Sequence, residues 1–301
     1  MNILDLLNQR HAIENHVQLR EIADGVIIVE VANQHALANI ALQGAHIATF
    51  QPRGEEPVIW LSPQAKFAPG KSIRGGVPIC WPWFGPHPTD SKLPGHGFAR
   101  TVPWELLETR ALEDGATFLR FALIETDTTR TQWPHPSTVQ LEVTVGKTLR
   151  VELITTNTGA APFELGEALH TYLQVSDLGN MTIRGLENCE YMDKVNGSAR
   201  STQQNGIVIE SEVDRVYVNT EADCMIEDKG LKRAIRIAKQ GSKSTIVWNP
   251  WTEKAGQMGD FGDNGYRGMV CVESGNALEN AITITPGATH RLVVSYSLER
   301  L

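Results

Sequence analysis

Apolar and polar residues alternate with a period of two through much of this chain. The clearest stretch runs from Val139 to Leu153: Val139, Leu141, Val143 and Val145 alternate with polar residues, Gly146-Lys147 intervenes, and Leu149, Val151 and Leu153 resume the pattern. Two half-buried strands joined by a Gly-X turn are predicted there. Leu292, Val294, Tyr296 and Leu298 repeat the pattern near the C-terminus. Further strands are expected at Val26–Val31, Val58–Leu61, Thr117–Ile124, Thr182–Leu186, Ile207–Glu210, Ala234–Ala238, Thr245–Trp248, Met269–Glu273 and Ala281–Thr285. One short amphipathic helix is expected over Ile3–Arg10. Many short strands separated by Gly, Pro and Asn, with almost no helical stripe, predict an all-β protein, a large antiparallel β-sandwich. No composition break or linker divides the chain, so residues 1–301 are expected to form a single domain.

The segment Ile73–Arg100 breaks the pattern. It is too rich in Pro and Gly for a central strand, yet Trp81, Trp83 and Phe84 carry too much apolar area for a solvated loop. A long ordered loop of this kind is either a binding wall or a structural corner closing one end of a sandwich, and composition alone leaves both open.

Composition narrows the class. Hydrophobic residues make up 41% and charged residues 21% of 301 residues, the profile of a globular chain with a large core. No run approaches the roughly 20 apolar residues of a membrane span, and the N-terminus lacks the apolar core of a secretory signal. A cytoplasmic location and no membrane partner are therefore expected. The net charge of −8 argues against a nucleic-acid partner and requires local arginines for any phosphate-bearing ligand. Cys80, Cys189, Cys224 and Cys271 form no CxxC motif and are expected as free thiols. His35, His87, His135 and His290 show no metal-ligand spacing, His46 is expected in a core strand, and no Gly-x-Ser-x-Gly elbow occurs.

The motifs become specific together. Ile-Arg-Gly-Gly-Val-Pro-Ile-Cys-Trp-Pro-Trp-Phe-Gly from Ile73, then His-Gly-Phe-Ala-Arg at 96–100, resemble the hexose-6-phosphate mutarotases. These are the glucose-6-phosphate 1-epimerase branch of the aldose 1-epimerase, galactose mutarotase-like superfamily. The blocks Glu167-Ala-Leu-His-Thr-Tyr-Leu, Glu212-Val-Asp-Arg-Val-Tyr, Val247-Trp-Asn-Pro-Trp and Val270-Cys-Val-Glu-Ser follow in family order. The resemblance covers about Gln18 to the C-terminus and departs at Gly95, where some relatives carry a polar side chain. It implies a supersandwich, interconversion of the α and β anomers of a hexose 6-phosphate, and no metal or organic cofactor. Glucose 6-phosphate is the expected substrate and a monomer the expected state.

Mutarotation needs a base for the C1 hydroxyl proton and an acid for the ring oxygen, exchanging roles on reclosure, so groups titrating near neutrality suit it. Taken alone, His170 reads first as a satisfied core histidine and Glu273 as an exposed strand-end carboxylate. The resemblance implies His170 as general acid and Glu273 as general base. His170 is expected on a strand spanning Phe163–Val175, on one face with Ala168, Tyr172 and Gln174. Glu273 is expected at the mouth of a central strand, where lost solvation raises its pKa. Arg74 and Arg100 are either surface arginines or, as the resemblance implies, the phosphate contacts; a guanidinium fork suits an oxyanion. Gly75 and Gly76 are expected to leave the surroundings of Arg74 open. The resemblance also places His96 beside the sugar and gives Asp214 to its hydroxyls; in the residues themselves Asp214 is equally a salt bridge to Arg215 or another arginine. Trp248 and Trp251 are stacking platforms or core, and Asp260 is a loop acid near the site with no role assigned. Two other functions compete: an aldose 1-epimerase for unphosphorylated sugars, for which two pocket arginines have no purpose, and a non-catalytic carbohydrate-binding protein, which needs no acid–base pair.

Overall fold

The computed structural model describes residues 2–23 and 25–301. Its strands assemble into antiparallel sheets, two of them eight-stranded. One runs Met181–Arg184, Cys224–Asp228, Arg233–Gln240, Thr289–Arg300, Leu149–Asn157, Ser137–Val145, Thr117–Leu123, Trp104–Ala111. The other runs Ala199–Thr202, Glu190–Asp193, Val213–Tyr217, Ser244–Asn249, Met269–Asn276, Glu167–Leu169, Ile79–Cys80, with Tyr172–Gln174 also paired to Met269–Asn276. A four-stranded meander, Val17–Ala23, Val26–Ala32, Ala36–Ala41 and His46–Pro52, adds a further wall. Side chains from all three sheets meet in one hydrophobic cluster. The all-β sandwich expectation holds, and among the described residues no helix is long and apolar enough to cross a membrane.

The alternation between 139 and 153 forms Ser137–Val145 and Leu149–Asn157, with Val139, Leu141, Val143 and Val145 all buried. Val145 pairs with Leu149, so the connection is a three-residue loop rather than the expected two-residue turn. The helix forms over Ile3–His11, its start fixed by a reciprocal Asn2–Asp5 capping box. Val58–Leu61 and Ile207–Glu210 make only isolated bridges, at Ile59, Leu61 and Ile207.

Three departures shape the site. The expected strand Phe163–Val175 is three short ones, Phe163–Leu165, Glu167–Leu169 and Tyr172–Gln174. His170 and Thr171 lie in the break, where the His170 amide donates to the Pro78 carbonyl and the Thr171 amide turns back onto Leu169. The Thr171 hydroxyl meets the Tyr296 hydroxyl at 2.5 Å, tying this break to the other large sheet. The strand carrying Glu273 runs on to Asn276 and is buried at every position, so Glu273 lies within it rather than at its end. The strand expected from sequence ends at Glu273, leaving Gly275 outside it. A Cβ on Gly275 would lie 2.4 Å from the Glu167 carbonyl, so the glycine allows close strand approach instead.

The segment Ile73–Arg100 holds one two-residue strand, Ile79–Cys80, and buries Trp81 and Trp83. Gly75 and Gly76 are not open space: both have positive φ, and a Cβ on Gly76 would sit 2.3 Å from His46 Nε2. They let the turn after Arg74 press against the core.

Candidate active site

The break after Leu169 and the middle of Met269–Asn276 bring His170 and Glu273 together. His170 Nδ1 lies 3.2 Å from Glu273 Oε1, with the His170 side chain 13% exposed and that of Glu273 1% exposed. The approach is not a hydrogen bond: His170 Nδ1 and Glu273 Oε2 are both buried without a partner. Burial holds the His170 imidazole well below its usual range, and His96, Arg100 and Arg74 add to the shift. Burial pushes the Glu273 carboxyl well above its usual range, against the opposing pull of Lys194 and with the help of Asp214. Burial thus disfavours the charged form of each group.

Aromatic rings frame the pair. Tyr172 stacks on His170 with centroids 5.0 Å apart and planes 9° from parallel, and Trp248 stands edge-on to His170 at 5.9 Å. Trp248 thus forms a wall of this cluster, whereas Trp251 packs against Tyr266 at 5.5 Å. The His96 ring lies 6.0 Å from that of His170 and 4.8 Å from Phe84. His96 has a φ of 65°, in a turn continued by Gly97, whose Cβ would lie 1.8 Å from the Trp81 carbonyl. Its Nδ1 accepts from the Gly85 amide at 3.3 Å. Burial, then Arg100 and Lys194, hold its pKa down at about 3.

The charged residues ring the same cluster. Arg74 donates from Nε to Asp260 Oδ1 and from Nη1 to the Tyr172 hydroxyl, both at 3.1 Å. Arg100 donates to the Gly95 carbonyl at 2.8 Å. Asp214 pairs with Lys194 at 3.5 Å rather than with an arginine, Arg215 instead meeting Asp193. Lys194 Nζ also sits 4.9 Å over the Phe84 ring. The structure therefore gathers Arg74, His96, Arg100, His170, Asp214 and Glu273, drawn from five separate parts of the chain. Lys194, Cys271 and the Tyr172 hydroxyl belong to the cluster and were not singled out from sequence. Lys194 follows an aspartate in an unremarkable polar stretch, and only the Asp214 pairing brings it in. A cavity of about 460 Å³ lined by Trp81, Phe98, Trp133 and His135 includes none of the six. His46, the expected core residue, is buried at the start of His46–Pro52 and held down at about 3 by burial.

Comparison with known proteins points the same way. The chain matches the aldose 1-epimerase family profile across residues 28–297. It is 39% identical over 257 residues to an Escherichia coli protein named "Putative glucose-6-phosphate 1-epimerase", spanning 85% of each chain. A crystal structure of a "putative mutarotase" from Salmonella typhimurium superposes with a TM-score of 0.90 at 34% identity, covering 98% of this chain and 100% of that one. A galactose mutarotase-like protein from Clostridium acetobutylicum shares the fold at 13% identity, with a TM-score of 0.73 over 95% of this chain and 98% of its own.

Proposed function

The chain belongs to the aldose 1-epimerase family, and from that premise we propose that it interconverts the α and β anomers of a hexose 6-phosphate, D-glucose 6-phosphate first. The observation that carries this reading is the buried His170–Glu273 approach at 3.2 Å beside Arg74 and Arg100. Transfer from Glu273 to His170 creates a carboxylate and an imidazolium. Glu273 then takes the C1 hydroxyl proton while His170 protonates the ring oxygen. The ring opens, C1 rotates about its bond to C2, and reclosure on the other face runs the same transfers in reverse.

The remaining roles follow from position. His96, held neutral, offers a hydrogen bond near the anomeric centre without competing for the proton. Asp214, drawn toward Lys194, accepts sugar hydroxyls. Arg74 and Arg100 take the phosphate, each with guanidinium hydrogens left over from the contacts described above. This proposal needs no metal or organic cofactor.

One observation favours the competing neutral-sugar epimerase: Asp260 already faces Arg74 at 3.1 Å, and a phosphate must share or displace it. Anomerisation rates on glucose 6-phosphate and glucose, measured side by side, decide. A clear preference for the phosphorylated sugar is expected. Equal or better use of glucose selects the other enzyme, and no acceleration of either leaves a sugar-binding protein.

A further inference from the structure

Among the described residues, His170, Cys271 and Glu273 place one potential ligand atom each within 4.8 Å of one another. Cys271 and Glu273 are two apart on one strand and so face the same side. His170 arrives from the break in another strand, a hundred residues earlier in sequence, where no spacing rule could find it. We propose that this trio is a binding site for a thiophilic divalent cation of the zinc class, held by His170 Nδ1, Cys271 Sγ and a Glu273 carboxylate oxygen. The cation silences the enzyme by occupying both members of its acid–base pair. The site itself stands on geometry; the silencing rests on the proposed roles of His170 and Glu273.

Three arguments support it. The donor set is a nitrogen, a sulfur and an oxygen from three side chains with a fourth position open, which zinc accepts and magnesium, preferring oxygen, does not. Bonds of about 2.0–2.3 Å put tetrahedral ligand atoms roughly 3.3–3.8 Å apart. The His170–Glu273 approach of 3.2 Å is already close to that, and small side-chain rotations close the rest. Finally, His170 Nδ1 and Glu273 Oε2 are buried without partners, and a cation there satisfies what the protein leaves open. The charges balance: Cys271 and Glu273 each release a proton to water, and two anionic ligands meet the dication. Arg74, Arg100 and Lys194 oppose its entry and Asp214 favours it, which predicts reversible binding rather than a permanent structural ion.

The test uses the intact protein, first stripped with EDTA. Titration with Co²⁺ should saturate at one ion per chain with a thiolate-to-cobalt absorption band that Zn²⁺ abolishes. Cys271→Ser should lose the band. Glu273→Gln should keep it but bind at least tenfold more weakly, the low end of the roughly 10–100-fold that even outer partners of a metal ligand command. Zn²⁺ should inhibit anomerisation of the wild type, EDTA should restore it, and Mg²⁺ should do neither. Absence of the band in the wild type overturns the proposal, as does Zn²⁺ inhibition of equal strength in Cys271→Ser, each variant being compared with its own metal-free rate. Should Cys271→Ser not fold, the wild-type band and the Glu273→Gln titration still decide. A bound ion that leaves turnover untouched would uphold the site and remove His170 and Glu273 from the reaction.

Discussion

The two large sheets of this protein use the same backbone pairing for opposite ends. At the centre of one sheet, across Ser137–Val145, Leu149–Asn157 and Thr289–Arg300, register runs residue for residue without a slip, the sheet's one bulge lying at its edge near Leu106–Glu108. Its inner positions are Val, Leu and Tyr, and its outer face pairs Arg120 with Glu142 at 2.9 Å and Arg150 with Glu152 at 2.6 Å. In the sheet centred on Met269–Asn276, one flank is the six-residue Ser244–Asn249, the other is broken at His170 into Glu167–Leu169 and Tyr172–Gln174, and His170 and Glu273 keep buried atoms without partners. The first region is regular because each local preference agrees with the fold. The second gives up that agreement where the proposed chemistry needs an acid and a base left without partners.

If this division is right, damage to the two regions should separate activity from stability. The largest effect is expected at the pair itself. His170→Ala and Glu273→Gln should each lower turnover by about 10²–10⁴, with circular dichroism unchanged. A folded variant with near-wild-type turnover would take that residue out of the proton relay. Leu153→Ala, in the regular sheet where Leu153 is fully buried, should do the reverse. It should cost about 2–5 kcal/mol in urea unfolding while turnover per folded molecule stays put. Loss of turnover in step with the cavity would mean the sheets are not separable.

Smaller effects sharpen the site half. Arg74→Ala and Arg100→Ala should each reduce kcat/KM on glucose 6-phosphate by about tenfold or more, since a hydrogen bond to a charged group contributes roughly 1.5–3 kcal/mol. The loss on glucose should be much less, and equal losses would make the arginines structural. The mildest effect is on stability against pH. The folded protein holds a proton on Glu273 beyond the usual carboxylate range. The contribution of Glu273 to wild-type stability therefore falls as pH rises from that range through the raised value, by at most about 1.4 kcal/mol per pH unit, while the depressed His170 acts in the opposite sense. Glu273→Gln has no such proton to lose, so its midpoint should gain on the wild type as pH rises, even though it is inactive. A difference that does not vary with pH would mean Glu273 is ionised in the native protein.

The regular sheet is also what sequence displays best. Alternation placed Ser137–Val145 within two residues and the start of Leu149–Asn157 to the residue, because Val and Leu face the core at every second position; it stopped at Leu153, since the strand beyond is buried on both faces and loses the alternation. Strands such as Ala36–Ala41 and Trp104–Ala111 escaped notice, the first because alanine carries little pattern and the second because Trp-Glu-Leu-Leu-Glu resembles a helical stripe. Around the site, motif order brought out Arg74, His96, Arg100, His170, Asp214 and Glu273 as a set. Their geometry did not follow from periodicity. The kink at His170 depends on the Pro78 carbonyl, and the depth of Glu273 depends on Gly275 lying against a neighbouring strand. Both are contacts between distant segments. The Arg74–Asp260 and Lys194–Asp214 pairs are hidden for the same reason.

The hydroxyl contact between Thr171 and Tyr296 bears on how this protein breathes. Loops that carry catalytic groups commonly open on their own, well below the cost of unfolding the domain. Here the residue next to His170 is bolted to the longest strand of the opposite sheet, and both hydroxyls are buried. We expect the bend that presents the imidazole to open together with that strand. The amides of His170 and Thr171 should exchange their hydrogens for deuterium as slowly as those of Val294 and Tyr296, whereas Tyr296→Phe should release the bend to exchange early while the strand stays protected.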